Sequence, residues 1–308
     1  MIYKRVFVSG GAGVIGSSLI SYLLKEKMEI FVGDLKPCPK EWEGKVKYRQ
    51  GDLNTISLQE LNDFQPDLFF HLAATFERST ETAPFFEENF HHNILLSHHL
   101  LTCLKQVKSM KRIVFASSYL IYDPKLYLSQ NFTETTTSLS ETSEINPRNI
   151  CGAAKLFFEA ELKFMHAFEN ISYVSARIFR VYGKNSKDII SRWIRSSLKN
   201  EELTVYRPEG KFDYIFADDV AVGLIHLGNS DYTGLINLGT GRARSVEDVL
   251  NILKKSFPDL KIKFELSEIP FEASLANMDK FRRVTRFTPP TTLEEGIKNL
   301  INHYQHSN

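Results

Sequence analysis

The 308-residue chain has no run of about 18 apolar residues, which excludes a membrane-spanning helix. Cysteine is scarce. Cys38, Cys103 and Cys151 stand far apart with no C-x-x-C pair, so neither a disulfide framework nor a zinc knuckle is expected. A charge excess of either sign is also missing. Lys and Arg number 38 against 37 Asp and Glu, a net charge of +1, which removes the electrostatic case for binding nucleic acid. The first residues, "MIYKRVFVSGG", lack the basic start, apolar stretch and small-residue cleavage site of a secretory signal, so the expected location is the cytosol. The histidine doublets His91-His92 and His98-His99 lie seven residues apart. Helical metal pairs need spacings of three or four. The expectation is a polar helix face and no metal.

Apolar residues make up 43% of the chain, enough for a substantial core. Strand patterns at "YKRVFV", "EIFVGDL", "VKYRQGDL", "PDLFFHLAA", "RIVFASS" and "SYVSARIF" alternate with helical patterns, including helices over 85–107 and 152–168. That alternation predicts an α/β fold, a Rossmann-type doubly wound parallel sheet with ligands at the carboxyl ends of its strands. After residue 178 the elements shorten: helices over 188–199, 245–256 and 293–304, with the strands "LTVYRP" and "KIKFEL". The expected division is a Rossmann-type domain over 1–178 and a smaller α/β domain over 179–308, some of whose segments return to the first. Residues 123–148 are rich in Ser, Thr and Glu without periodicity. They read as a long loop, usually functional or mobile.

"SGGAGVIG" sets Gly10, Gly13 and Gly16 in a G-x-x-G-x-x-G spacing between a strand and a helix. Glycines allow the tight turn and the approach of a pyrophosphate to the backbone. The helix start, with Val14 and Ile15, supplies N–H donors and the positive dipole end. Asp34 closes the second strand. A carboxylate there accepts from ribose hydroxyls and repels a 2′-phosphate, so NAD is favoured over NADP.

These motifs, followed by "GDL" at 51–53, "HLAA" at 71–74, "ASS" at 116–118, "GAAK", "VYG" at 181–183, "DDVA" at 218–221 and "NLGTG" at 237–241, resemble the extended short-chain dehydrogenase/reductase family of nucleotide-sugar epimerases and dehydratases. The resemblance implies that Asp52 and Leu53 flank the adenine and that Ala73 and Ala74 line the cofactor. Asn93 takes the place of the family's helix asparagine, with Asn89 as its competitor because the upstream spacing is longer. It also implies hydride transfer at a sugar carbon, a small-molecule nucleotide sugar as partner, and a homodimer formed by helices 85–107 and 152–168.

In such enzymes a Tyr removes the hydroxyl proton, and a Lys four residues later holds the nicotinamide ribose and lowers the tyrosine pKa. Ser118 and Lys155 stand in the matching places, but "PRNICGAAK" puts Cys151 in the tyrosine slot. The catalytic candidates are therefore Ser118, Cys151 and Lys155. A thiolate near Lys155 is chemically reasonable, yet the side chain is short, which leaves a bridging water, a substitute (Tyr119, Tyr122 or Tyr127), or a small buried residue with no catalytic role. The family's diphosphate-binding Asn and Arg places read Arg180 and Phe212, and the late arginine is missing from "IPFEASLANMDK". Arg180, Arg192, Arg207 and Lys211 are the replacement cations. Thr75, Glu77 and Arg78, after "HLAA", are placed to touch the sugar. Tyr119 stands where dehydratases carry an acid, which disfavours dehydration. The two functional readings are an NAD-dependent epimerase or oxidoreductase of nucleotide sugars, and a non-catalytic NAD-binding sensor or complex subunit.

Overall fold

The computed structural model describes residues 2–76, 82–131 and 135–306. The first half contains β1 (Arg5–Ser9), α1 (Val14–Leu23), β2 (Glu29–Asp34), β3 (Lys47–Gln50), α2 (Leu58–Phe64), β4 (Leu68–His71), α3 (Ala83–Asn89), α4 (Leu96–Leu104), β5 (Arg112–Ser118), β6 (Leu128–Ser129), β7 (Thr137–Leu139), α5 (Ile150–Glu169) and β8 (Ser172–Ile178). The second half contains β9 (Arg180–Tyr182), α6 (Ile189–Leu198), β10 (Leu203–Val205), β11 (Lys211–Phe212), β12 (Tyr214–Phe216), α7 (Ala217–Asn229), β13 (Gly234–Leu238), β14 (Arg244–Ser245), α8 (Val246–Ser256), β15 (Ile262–Phe264), β16 (Phe271–Glu272), β17 (Ser274–Ala276), α9 (Asp279–Thr285) and α10 (Leu293–His306).

Seven parallel strands form the central sheet in the order β13-β8-β5-β4-β1-β2-β3. The inner strands are apolar on both sides, "VFV" in β1 and "LFF" in β4 being fully buried, as a sheet covered by helices on both faces requires. The chain winds outward from β1 in both directions. The gap between β1 and β4 is thus the switch point at which doubly wound sheets bind ligands. One core cluster fills the face under α1 and α7, and a second fills the face under α2, α4 and α5. A third lies between α6, α8 and α10 in the C-terminal lobe. β13 returns from that half of the chain to become the seventh strand of the sheet.

The single helix expected over 85–107 is a rod with a wide turn in it. Residues Phe90–Leu95 form a π-helix between α3 and α4. The buried residues Phe85, Asn89, Asn93 and Ser97 recur every four positions. In a regular α-helix each such step drifts by about 40°. The wide turn absorbs the drift and keeps all four facing the sheet.

The expected loop at 123–148 is tied down by pairs invisible to local pattern. β6 pairs with β16 and β7 with β17, so this segment joins the C-terminal lobe to the sheet. Its partners lie more than 100 residues along the chain, which is why no periodicity betrays them.

α5 is held hardest. Asn149 caps it by accepting from the Gly152 N–H at 2.9 Å. A Cβ at Gly152 would lie 2.6 Å from the Leu120 carbonyl oxygen, so only glycine lets the helix start approach the loop after β5. Lower down, buried Glu159 receives both arms of Arg177 from β8, at 3.0 and 2.7 Å, and the Ser117 hydroxyl from β5 at 2.6 Å. Removing one partner of a buried pair strands the other charge. Glu159→Ala is expected to cost about 3–5 kcal/mol in urea unfolding, and Glu159→Leu combined with Arg177→Met to recover most of it. A loss below about 1 kcal/mol for the single variant would show that the pair does not anchor the helix.

Candidate functional site

The cofactor end of the crevice is built from backbone. Gly10 adopts φ +73°, and a Cβ there would meet the Ala73 nitrogen at 2.6 Å, so the glycine turn and the "HLAA" segment lie in direct contact. Gly13 is the N-cap of α1 and has no side chain to cap it, leaving the first N–H groups of Val14, Ile15 and Gly16 for an anion. Asp34 ends β2 beside them. Its carboxylate accepts from the N–H of Ala12 at 2.8 Å and of Lys36 at 2.9 Å, with lone pairs left for ribose hydroxyls. The Lys36 ammonium donates to the Ala12 carbonyl at 3.1 Å.

Asp52 and Leu53 behave differently from one another. Asp52 accepts from the Asn54 N–H and lies 2.6 Å from His91 Nε2. Burial opposes its charge, but these hydrogen bonds outweigh it and hold the carboxyl below its usual range. His92 stacks edge-on against His91, and the three groups cluster within 4.8 Å. The helix face expected to be merely polar therefore includes an Asp–His pair. The Leu53 side chain is buried in the same core cluster as Phe7 and Phe31, so it offers a ligand no more than its backbone.

Ala73, Ala74 and Thr75 follow β4. The two asparagines that competed for one role divide it. Asn93 accepts from the Thr75 N–H at 2.8 Å, donates to the Thr75 carbonyl at 3.0 Å, and donates to Asn89 at 2.7 Å. The Thr75 hydroxyl bonds Glu88. Asn93 thus positions the loop, and Asn89 fixes the asparagine. Glu77 and Arg78 lie outside the described residues.

His71 carries a role that the sequence did not suggest. Ser97 donates its one proton to the Asn93 carbonyl at 2.6 Å, so it must accept from His71 Nε2 at 2.8 Å. Nδ1 then accepts from Ser9 at 2.7 Å. Burial first, and the Lys155 charge second, push this imidazole down to about 3. It is a neutral strut between β1, β4 and α4.

Ser118 ends β5, and Cys151 and Lys155 lie in the first two turns of α5, which is tied to β5 through Lys155 and Ala116. The Ser118 hydroxyl accepts from the Leu120 N–H at 3.2 Å. The Lys155 ammonium donates to the Ala116 carbonyl at 2.7 Å and sits 4.9 Å from the Phe115 ring centre. Burial pushes it down to about 8, against the pull of Cys151 and Glu159. Cys151 is buried, its sulfur 3.9 Å from the Thr75 carbonyl.

The three tyrosines considered as substitutes are buried and hold their protons. Tyr119 donates to Glu272 at 3.0 Å and Tyr122 to Asn237 at 2.6 Å. Burial raises Tyr119 far above its ordinary value and pushes Tyr122 and Tyr127 up to about 12. None of them is a ready base near neutrality.

At the substrate end, Arg180 stacks on Phe212 with its guanidinium carbon 4.5 Å from the ring centre. The two positions where the family's residues are exchanged are therefore in contact. The structure also shows a partner that the sequence did not reveal. Glu272, fully buried on β16, accepts from Arg148 at 2.6 Å and Arg180 at 2.9 Å through the same oxygen. Burial opposes this carboxylate's charge, but Arg180 and Arg148 outweigh it and hold the group below its ordinary range. Arg180 is thus not an uncommitted phosphate cation. Arg192 lies on the exposed face of α6, and Arg207 donates to the Ile269 carbonyl at 2.8 Å. Neither joins the Glu272 cluster: among the described residues the partners of that carboxylate are Arg148, Arg180, Tyr119 and Ser274.

Residues 6–239 match the NAD dependent epimerase/dehydratase family. UDP-N-acetyl-alpha-D-glucosaminuronate decarboxylase of Bacillus cytotoxicus is 28% identical, with 98% of each chain covered. UDP-glucuronic acid decarboxylase 6 of Arabidopsis thaliana is 28% identical over 95% of this chain and 86% of its own. Among solved structures, MoeE5 in complex with UDP-glucose and NAD superposes with a TM-score of 0.85 at 27% identity, covering 98% of this chain and 99% of that one.

Gly10 and Gly44 share nearly the same φ, +73° and +71°, but a Cβ at Gly44 would meet nothing within 4 Å. Gly10→Ala is expected to lower the melting temperature well beyond Gly44→Ala and to abolish the further rise on adding NAD. Equal melting shifts in the two variants, with NAD stabilisation intact, would show that the contact between the glycine turn and Ala73 is dispensable.

Proposed function

The chain belongs to the NAD dependent epimerase/dehydratase family, and we propose that it is an NAD-dependent epimerase or oxidoreductase acting on a UDP-activated sugar by hydride transfer at a sugar carbon. The observation that carries this reading is the intact glycine cradle and Asp34 at one end of the crevice, with Ser118 and Lys155 at the other. In this reading residues 1–178 bind NAD and 179–308 mainly bind substrate.

The residues present fit NAD. The Gly10–Gly13 turn and the start of α1 face the pyrophosphate, Asp34 takes the adenosine ribose, Asp52 and the Leu53 backbone flank the adenine, and Ala73 and Ala74 line the crevice. Asn93 keeps the Thr75 backbone in place. When bound, NAD accepts a hydride from the sugar and returns it. Ser118 hydrogen-bonds the reacting sugar oxygen, Lys155 faces the nicotinamide ribose, and Thr75 borders the sugar. Arg192 and Arg207 on the C-terminal lobe, with the one net positive charge that Arg148 and Arg180 retain against Glu272, supply positive charge towards the diphosphate. Re-reduction on the opposite face of the ketone gives epimerisation. Tyr119 in place of an acid speaks against dehydration.

The non-catalytic reading draws support from one feature, the engagement of both Arg148 and Arg180 by Glu272, which leaves one net positive charge there. Incubating the purified chain with NAD and a panel of UDP-hexoses and UDP-hexuronates separates the two. Formation of a new nucleotide sugar, or of bound NADH absorbing near 340 nm, is expected. Tight NAD binding with no sugar converted would leave only a binding protein.

We further propose a cytosolic homodimer. No helix among the described residues is long and apolar enough to cross a membrane. α5 exposes Phe157, Phe164 and Phe168 at 48%, 62% and 82% of their surface, an apolar stripe of the kind that marks an interface. Phe164→Glu with Phe168→Glu is expected to halve the mass seen by light scattering. An unmodified chain that is already monomeric would rule the dimer out.

A further inference from the structure

The epimerase reading leaves one step without an agent. The sugar hydroxyl must lose a proton as its carbon loses a hydride, and the tyrosine that would take it is replaced by Cys151. Candidate bases around the site can be struck off by what they already hold. His71 uses both ring nitrogens on serines. Glu159 is saturated by Arg177 and Ser117, and Glu272 by Arg148, Arg180 and Tyr119. Tyr119 and Tyr122 donate to a carboxylate and an amide oxygen. The Ser118 hydroxyl is far too weak a base. The thiol of Cys151 points at the Thr75 carbonyl, 3.9 Å away, and Asn93 clamps that carbonyl from the other side.

Lys155 stands apart from this set. It lies one helical turn beyond Cys151 on the same face of α5, half-buried, with its amine 2.7 Å from the Ala116 carbonyl. We propose that Lys155 is itself the proton acceptor for the sugar hydroxyl, reached through one water seated over Cys151 in the volume a tyrosine ring would fill. This rests on the epimerase reading above. It makes position 151 a spacer rather than an acid–base group.

The step balances. The C–H bond breaks and its electron pair leaves as hydride to NAD, which is reduced. The O–H bond breaks, its proton passes to the water, and the water gives a proton to the neutral Lys155 amine. The sugar carbon becomes a ketone and Lys155 an ammonium. The return hydride reverses each transfer.

The surroundings suit the role. Facing the amine are the Phe115 ring and the Ala116 carbonyl of β5, neutral His71 of β4, and Cys151 and Glu159 of its own helix. Glu159 is paired with Arg177, so its charge is largely spent. Burial therefore wins and brings Lys155 down to about 8. Because the neutral amine is the active form, activity should rise with pH through that region and level off above it.

Two measurements decide the matter. Trace acetylation of the full chain with acetic anhydride between pH 6 and 11, read peptide by peptide by mass spectrometry, gives the midpoint of Lys155 without any turnover. A midpoint near 8 is expected, and one at the ordinary lysine value of about 10.4 would overturn the proposal. For a UDP-sugar that the enzyme converts, the acid limb of kcat/KM is expected at the same midpoint. In Cys151→Ala it should coincide with that variant's own labelling midpoint, which loss of the thiol's pull moves no higher, whatever the variant's rate. Lys155→Arg keeps the charge but holds its proton. It should bind NAD within a few-fold of wild type and lose about 100-fold or more in kcat/KM. An acid limb that departs from the labelling midpoint in Cys151→Ala, or an active Lys155→Arg, defeats the idea. A wild-type chain that binds NAD but converts no sugar defeats the epimerase reading instead, and the labelling midpoint still reports on Lys155.

Discussion

The ion pair between Glu159 and Arg177 is the constraint on which the site depends. It joins the middle of α5 to β8, and the Ser117 hydroxyl brings β5 into the same contact. Burying two charges is costly unless each is fully hydrogen-bonded and well aligned. The geometry here is two-armed, so the helix has one rotation and one depth that satisfy it. Lys155 lies one turn before Glu159 and Cys151 two turns before it. Their positions over the end of β5 follow from where Glu159 is pinned. The Gly152 contact with Leu120 and the Asn149 cap then fix the helix start.

The opposite wall of the crevice is set by a second charge balance. Two guanidinium groups and one phenol converge on Glu272. That carboxylate lies on β16, whose pairing with β6 ties the C-terminal lobe to the segment after β5. The lobe thus meets the site through a buried carboxylate, and the local charge sums to one positive unit rather than two. In the proposed reading, a diphosphate arriving there would meet a weaker field than two uncommitted arginines would give. The substrate end therefore departs from the family pattern, while the cofactor end keeps it.

The parallel sheet, its switch point and the glycine turn could be read from the chain because they rest on local chemistry. Alternating strand and helix periods, glycines between them and a carboxylate closing β2 each act over a few residues. The same holds for Ser118 and Lys155, fixed by motif spacing. The reading was weaker wherever geometry depends on distant partners. The 123–148 segment looked structureless because its strands pair with residues near the other end of the chain. Asn89 and Asn93 compete for one place in the sequence because the upstream spacing is longer than the family's, and only the fold shows them bonded to one another across the π turn. By motif spacing alone Arg180 reads as an uncommitted phosphate cation, whereas in the fold it donates to Glu272.

By itself, then, the sequence determined the fold class and the glycine turn between the first strand and helix, both consequences of backbone propensity and short-range spacing. Only the tertiary structure decided what each polar side chain has left to offer. Tyr119 meets Glu272 across 153 residues of chain, and Arg148 meets it across 124. Burial then raises the tyrosines and lowers Lys155. Those contacts come from packing two lobes against one another, and the protonation of a buried group depends on its neighbours and on lost solvent, neither of which is written at its own position.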